Sequence, residues 1–203
     1  MTGELSQALQ TLAPSGFLIG CREIAFGDES ALLDAEMRSM ASRSIVARRA
    51  SGAARIVARQ LLTQLALPAA AVLRNVSGAP VWPQGVIGSL AHDDQIAVAI
   101  IGKTGGFSRV GIDIEPVEPL AQDAVDVVMT ASEQRNISDA IERKLLFCAK
   151  EAVYKASHPA DGEFLEYHDI EVDLPGRQAF ARTGGVFELR TCMSSHLVAL
   201  ALA

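Results

Sequence analysis

The chain has 203 residues, a formal net charge of −6, 49% hydrophobic and 21% charged residues. That composition excludes a disordered or collagen-like chain, and the length allows one domain or two small lobes. A net negative chain is no general nucleic-acid binder, so an anionic ligand must be held by a local patch of Arg and Lys.

From Ser42 to Leu67 the pattern is helical. Val46, Ala50, Ala53, Val57 and Leu61 recur at spacings of three and four and make one apolar stripe. Arg48, Arg55 and Arg59 fall on the opposite side, either as a solvated face or as an anion site. Pro68 ends the pattern. A turn-rich stretch follows, Ser77-Gly78-Ala79-Pro80 and then Trp82-Pro83. Two strands are predicted next, Gly85 to Leu90 and Gln95 to Ile101, joined as a hairpin at Asp93-Asp94. After Gly105-Gly106 a short strand runs from Arg109 to Glu115 and stops at Pro116. A second helix is predicted from Ser138 to Ser157, before Pro159, with Ile141, Leu145, Cys148, Ala149, Ala152, Val153 and Ala156 on its apolar side. The tail alternates in short stretches (Ile170, Val172, Leu174; Phe187, Leu189) and ends in a buried strand from His196 to Leu200. No residue-level repeat is visible. A helix with strands nevertheless occurs once in each half, which predicts a two-lobed α+β protein.

Cys21, Cys148 and Cys192 are widely spaced and lack paired metal-ligand spacing. They predict a reduced, cytoplasmic protein without a disulfide framework. No signal peptide is expected around Glu4. The longest apolar runs, such as Ile96 to Ile101 and Leu197 to Ala203, fall short of the ~20 residues of a membrane helix.

Three segments carry chemistry. In the strand Val110-Gly111-Ile112-Asp113-Ile114-Glu115, alternation turns Val110, Ile112 and Ile114 to a core. Asp113 and Glu115 then share the other face, about 7 Å apart. Two adjacent carboxylates repel each other, and a hard cation such as magnesium relieves the repulsion; the same pattern also suits a polar edge strand. In the helix, Glu151 and Lys155 stand at i and i+4, which serves either an ordinary ion pair or a metal ligand beside a phosphate-binding lysine. In Gly88-Ser89-Leu90-Ala91-His92, small residues let a ligand approach the backbone, and Ser89 and His92 offer hydrogen bonds to phosphate. Nothing places an acid and a nucleophile around His92, so no catalytic triad is implied.

The order of these motifs is more specific than any one of them. Gly-Ser-x-x-His, then Gly-Ile-Asp-Ile-Glu about twenty residues on, then Lys150-Glu151-x-x-x-Lys155 nearly forty residues later, resembles the 4′-phosphopantetheinyl transferase superfamily. The siderophore-synthesis branch typified by enterobactin synthase component D is the branch it resembles most. The resemblance covers roughly residues 43 to 170, including Pro80-Val81-Trp82-Pro83; residues 1 to 40 and the last thirty carry no recognised motif.

The resemblance implies a monomeric enzyme of two similar lobes related by a pseudo-two-fold axis, each a long helix packed on a small antiparallel sheet. The N-terminal lobe would span 1–102 and the C-terminal lobe 103–203, with coenzyme A in the cleft between them. It implies transfer of phosphopantetheine from coenzyme A to a serine of an apo acyl or peptidyl carrier protein in siderophore, nonribosomal peptide or polyketide synthesis, with Mg2+. Asp113, Glu115 and Glu151 match the metal ligands. Lys155 matches the lysine at the transferring phosphate, and Glu151 or a water it orients serves as base. Ser89 and His92 match contacts to coenzyme A phosphates, Lys150 precedes the motif glutamate, and Arg48 and Arg55 sit where the 3′-phosphate is held. The choice among Arg43, Arg48, Arg49 and Arg55 stays open. Ala79 stands where relatives often carry a basic residue, a contact Arg74 can replace, and Phe147 stands where many have Trp. A metal-dependent nucleotide phosphohydrolase and a non-catalytic coenzyme A or carrier-binding module are the alternatives.

Overall fold

The computed structural model describes residues 2–40, 43–161 and 164–203. The chain divides into two compact units, Met1–Gly106 and Phe107–Ala203.

The first unit opens with helix α1 (Thr2–Leu12) and strand β1 (Phe17–Glu23), followed by the short helix α2 (Asp34–Arg38) and the long helix α3 (Ile45–Gln64). A two-stranded ribbon, β2 (Leu73–Arg74) with β3 (Pro80–Val81), precedes β4 (Val86–His92) and β5 (Ile96–Lys103). The main sheet is antiparallel in the order β1-β5-β4. The predicted hairpin is β4–β5. Its turn is held by Asp93, whose Oδ1 accepts hydrogen bonds from the backbone N–H groups of Gln95 and Ile96, both at 2.7 Å. Strand β1 was not predicted, because only Phe17 and Ile19 alternate clearly into the core before polar residues follow.

Helix α3 begins where Ser44 caps it, its Oγ accepting from Ala47 N at 3.2 Å. The predicted start at Ser42 lies outside the described residues. The helix stops at Gln64 rather than Leu67, since Ala66 takes a left-handed φ of 59° ahead of Pro68. Ala50, Ala53, Val57 and Leu61 are buried as the stripe predicts, but Val46, in the first turn, is 63% exposed.

The arginine face is not a solvated one. Glu36 of α2 is wholly buried. Its carboxylate accepts from Arg59 Nη1 at 3.1 Å to each oxygen and lies 3.7 Å from Arg55 Nε. It also accepts from the backbone N–H groups of Leu33 (2.9 Å) and Val72 (2.8 Å). One carboxylate thus ties α2, α3 and the segment before β2.

The second unit contains β6 (Val110–Pro116), short helices α4 (Val125–Val128) and α5 (Ala131–Asn136), the long helix α6 (Ala140–Asp161), and strands β7 (Ile170–Asp173), β8 (Gln178–Ala181), β9 (Val186–Met193) and β10 (His196–Leu202). Its sheet is antiparallel in the order β6-β10-β9-β8-β7. The tail therefore supplies four of its five strands. Helix α6 runs past Ser157 to Asp161, and it buries Leu146, Cys148, Ala149, Ala152, Val153 and Ala156. Ile141 and Leu145 stay half-buried.

A second buried carboxylate repeats the device. Glu133 of α5 is 4% exposed. It accepts from Thr130 N (2.8 Å), Val172 N (3.0 Å) and Lys150 Nζ (2.7 Å). The two long helices also meet their first strands alike. A Cβ on Gly20 would touch Val57 and Leu61; one on Gly111 would strike Ala152 and Ala156. The shift that carries Val57 to Ala152 and Leu61 to Ala156 also carries Arg55 to Lys150. Each unit is therefore a long helix on an antiparallel sheet with matching interior charges, a correspondence the side-chain chemistry hides in the sequence.

Removing Glu36 leaves Arg59 Nη1 and two backbone N–H groups without their acceptor and Arg55 without its counter-charge. Glu36→Ala is expected to lower stability by about 3–5 kcal/mol, the cost of breaking a buried pair from one side. Urea denaturation followed by circular dichroism measures it, and a loss below about 1 kcal/mol, the scale of a surface pair, contradicts this role.

Candidate functional site

Gly111, Asp113 and Glu115 share one face of β6, the face that α6 covers. A Cβ at Gly111 would overlap the carbonyl oxygen of Ala152 and lie 2.6 Å from Ala156 N, so only glycine lets the helix seat here. That seating brings Lys155 Nζ to 2.6 Å from Asp113 Oδ1. Asp113 is 5% exposed, and its Oδ2 is buried without a hydrogen-bond partner. Burial pushes the Asp113 pKa up, Lys155 opposes that, and the Glu151 charge adds to it. Glu115 is likewise raised, first by burial and also by the Asp113 charge, against Lys144. Burial lowers the Lys155 pKa, but Asp113 and Glu151 outweigh it and leave the ammonium favoured. Asp113 thus feels the charge of Glu151, and Glu115 that of Asp113.

Each carboxylate is nonetheless turned to its own partner. Asp113 has Lys155, Glu115 has Lys144 at 2.5 Å, and Glu151 accepts from the Tyr167 hydroxyl at 2.7 Å. Among the described residues no group of three His, Cys, Asp or Glu is set to hold a metal ion. A cation would compete with these partners for the carboxylate oxygens, except at Asp113 Oδ2, which has none. The donor chemistry fits a hard ion: the oxygens of Asp113 include a buried one with no partner, and burial with a neighbouring like charge raises each strand acid, Glu151 acting on Asp113 and Asp113 on Glu115.

Lys144 and Tyr167 were not foreseen. Lys144 stands two helical turns before Glu151, a spacing that puts both on one side of α6. Its Nζ lies 4.8 Å from the centre of the Phe147 ring, which in turn meets Tyr167 at 5.7 Å. No local pattern announces Tyr167. Beside Glu151 opens a pocket of about 530 Å³, walled by Val127, Tyr154, Phe164, Leu165, Tyr167 and Ile170, with Lys150, Glu166 and His168 also lining it.

Two residues expected to touch coenzyme A are drawn inward instead. Arg55 is 3% exposed and donates to the carbonyls of Val72 (2.8 Å) and Ser51 (3.2 Å). Burial brings its pKa down to about 10. Lys150 is fully buried on Glu133 and two carbonyls. Arg49 is paired with Glu29 at 2.8 Å. Arg48 is half-buried, with its Nε buried and lacking a hydrogen-bond partner. Arg43 is exposed, and Arg74, lowered first by burial, also feels the Arg43 charge. Positive charge therefore gathers at Arg43 and Arg74. Ser89 and His92 are three positions apart on β4, so the two-residue period of the strand puts them on opposite faces. Ser89 is buried and His92 exposed. The space at Gly88 is filled: a Cβ there would come 2.6 Å from Ile100 O and 2.8 Å from the Trp82 ring, and Trp82 Nε1 donates to Gly88 O at 2.8 Å. Gly88 serves the packing of Trp82 on β4.

Comparison with known proteins gives two family matches. The family model described as "4′-phosphopantetheinyl transferase N-terminal domain" matches residues 35–102, and that of the 4′-phosphopantetheinyl transferase superfamily matches residues 109–201. The chain is 35% identical over 135 residues to 4′-phosphopantetheinyl transferase Npt of Nocardia iowensis (64% of this chain, 61% of that protein). It is 34% identical over 120 residues to PptT of Mycobacterium tuberculosis (57% and 53%) and 34% over 125 residues to Svp of Streptomyces mobaraensis (58% and 51%). The matches thus span about half to three fifths of these relatives. They overturn the expected branch: enterobactin synthase component D of Escherichia coli matches less of the chain, 33% over 112 residues (51% and 50%).

Two outcomes follow from the geometry. Gly111→Ala must lift α6 from β6, so a fall in melting temperature together with loss of the Asp113–Lys155 contact is expected, read by calorimetry and by the Lys155 ammonium signal in NMR. Glu29 offers a pH test. Hydrogen bonding from Arg49 holds its carboxyl down to about 2. A carboxyl whose folded pKa lies below its unfolded value of about 4.3 contributes stability above the unfolded pKa and loses it as pH falls through the folded one. The melting-temperature gap between the parent and Glu29→Gln should hold down to about pH 5 and close between about pH 4 and pH 2.

Proposed function

Because the chain belongs to the 4′-phosphopantetheinyl transferase superfamily, we propose that it moves the phosphopantetheine group of coenzyme A to a serine of an apo acyl or peptidyl carrier protein, releasing 3′,5′-ADP. The observation that carries this reading is the acid cluster of β6 and α6, built around Asp113 and Lys155 and its unpartnered Oδ2, beside an apolar pocket. In the reaction the serine Oγ forms a bond to the β-phosphorus, the pyrophosphate P–O bond breaks, and the serine proton leaves to a base. Such transfers depend mainly on positioning and charge stabilisation.

Asp113, Glu115 and Glu151 would hold Mg2+, which supplies neutralisation of the pyrophosphate oxygens when bound. Lys155 would donate to the transferring phosphate. Glu151, or a water it orients, takes the serine proton. The pocket beside Glu151 suits the uncharged pantetheine arm, since apolar side chains dominate its walls. Arg43, Arg48 and Arg74 are the cations left for the nucleotide phosphates, with Ser89 and His92 as hydrogen-bonding partners. Free, unpaired cysteines fit a reducing cytoplasm, and among the described residues no helix is long and apolar enough to cross a membrane.

Mass spectrometry of an apo carrier incubated with coenzyme A, magnesium and this protein should show the gain of one phosphopantetheine. Phosphate release without carrier would instead mark a phosphohydrolase, and coenzyme A binding without transfer a binding module. Asp113→Asn and Glu151→Gln should each slow transfer by roughly 100-fold or more, the scale of a lost charge stabiliser. Transfer at the parent rate by either folded variant refutes the assignment.

A further inference from the structure

Lys150 has 0% exposure, and Glu133 has 4%. Burying an ammonium group is costly unless every donor is met. All three Lys150 donors are met: Val128 O at 2.8 Å, Glu133 Oε2 at 2.7 Å and Tyr167 O at 2.9 Å. The acceptors come from the end of α4, from α5, and from the 3₁₀ turn Tyr167–Asp169. Glu133 extends the hold to the start of β7 through Val172 N.

The arrangement closes on itself. Lys150 fixes the backbone of Tyr167 from the interior, and the Tyr167 hydroxyl donates to Glu151, the next residue of α6, at 2.7 Å. Both residues line the pocket, but Lys150 is fully buried with its ammonium group on three interior acceptors, whereas Glu151 reaches the Tyr167 hydroxyl. Among the described residues the first unit has the buried carboxylate and its cations but no such link; there Arg55 donates to Val72 O and Ser51 O. The buried charge pair is thus common to both units. Its connection through a phenol to an acidic side chain belongs to the second unit.

We propose that Lys150 and Glu133 are positioning residues: they set Tyr167, and through its phenol the carboxylate of Glu151, and Lys150 does not touch coenzyme A. The consequence for transfer rests on the function proposed above, whereas the consequence for Tyr167 does not.

The protein has two tyrosines, Tyr154 and Tyr167, so incorporation of fluorotyrosine gives two fluorine NMR signals, assigned with Tyr154→Phe. Lys150→Met alone strands a buried Glu133, so the paired variant Lys150→Met/Glu133→Gln removes both charges together. In that variant the Tyr167 signal should move and the Tyr154 signal stay. In transfer assays kcat should fall roughly tenfold or more, as for outer partners that orient a ligand, with KM for coenzyme A within about twofold of the parent. Tyr167→Phe should reproduce that split, and adding it to the paired variant should lower kcat no further, since residues acting in one chain are not additive. An unmoved Tyr167 signal overturns the proposal whether or not the parent transfers phosphopantetheine. A raised KM with unchanged kcat overturns it too, by making Lys150 a ligand of coenzyme A. Absence of transfer by the parent refutes the proposed function and leaves the NMR result to decide the positioning. Should the paired variant not fold, Lys150→Leu/Glu133→Gln, which removes the same hydrogen bond to Tyr167 O, is read in the same way.

Discussion

The contact between α6 and β6 at Gly111 governs the second unit. A strand and a helix normally stand apart by the thickness of their side chains. Here the strand has none at the crossing, and the backbone of Ala152 and Ala156 takes the place a Cβ would need. That closeness puts Lys155 within hydrogen-bond distance of Asp113. It also brings Glu151 near enough to Asp113 to raise its pKa. The acid cluster is thus a consequence of backbone packing, and every chemical role assigned to it depends on that crossing.

Buried charge is the second organising feature. Glu36 and Glu133 each sit on a short helix and accept from that helix's N-terminal cap residue, and each reaches a distant backbone N–H and a cation of the long helix. A carboxylate has enough lone pairs to join several segments at once, and satisfying all of them offsets its desolvation. In unit one this draws two arginines inward. In unit two it draws in the lysine adjacent to Glu151, which connects to that carboxylate through Tyr167.

The electrostatics of the two units differ in sign where chemistry is proposed. In the second unit burial and like charge raise the pKa of Asp113 and Glu115, a condition a cation relieves. In the first, Arg43 and Arg74 repel each other, a condition an anion relieves. A chain of net charge −6 can therefore carry a basic patch in one unit and an acid cluster in the other without being basic overall.

The sequence by itself determined the two long helices, the β4–β5 hairpin, the strand that carries Asp113 and Glu115, and the order of motifs that marks the superfamily. These depend on local periodicity, turn residues and spacing, which are properties of neighbours in the chain. It left β1 unseen because two apolar residues alternating beside polar ones do not separate a strand from a loop. Only the tertiary structure decided which charges are interior. Arg48 and Arg55 lie within two turns of one helix face, and Lys150 and Glu151 are adjacent. What separates an arginine on Glu36 from one near the surface, or a lysine on Glu133 from an acid in a pocket, is a partner far away in the chain. Burial and pairing are set by such distant residues, and no local pattern encodes them.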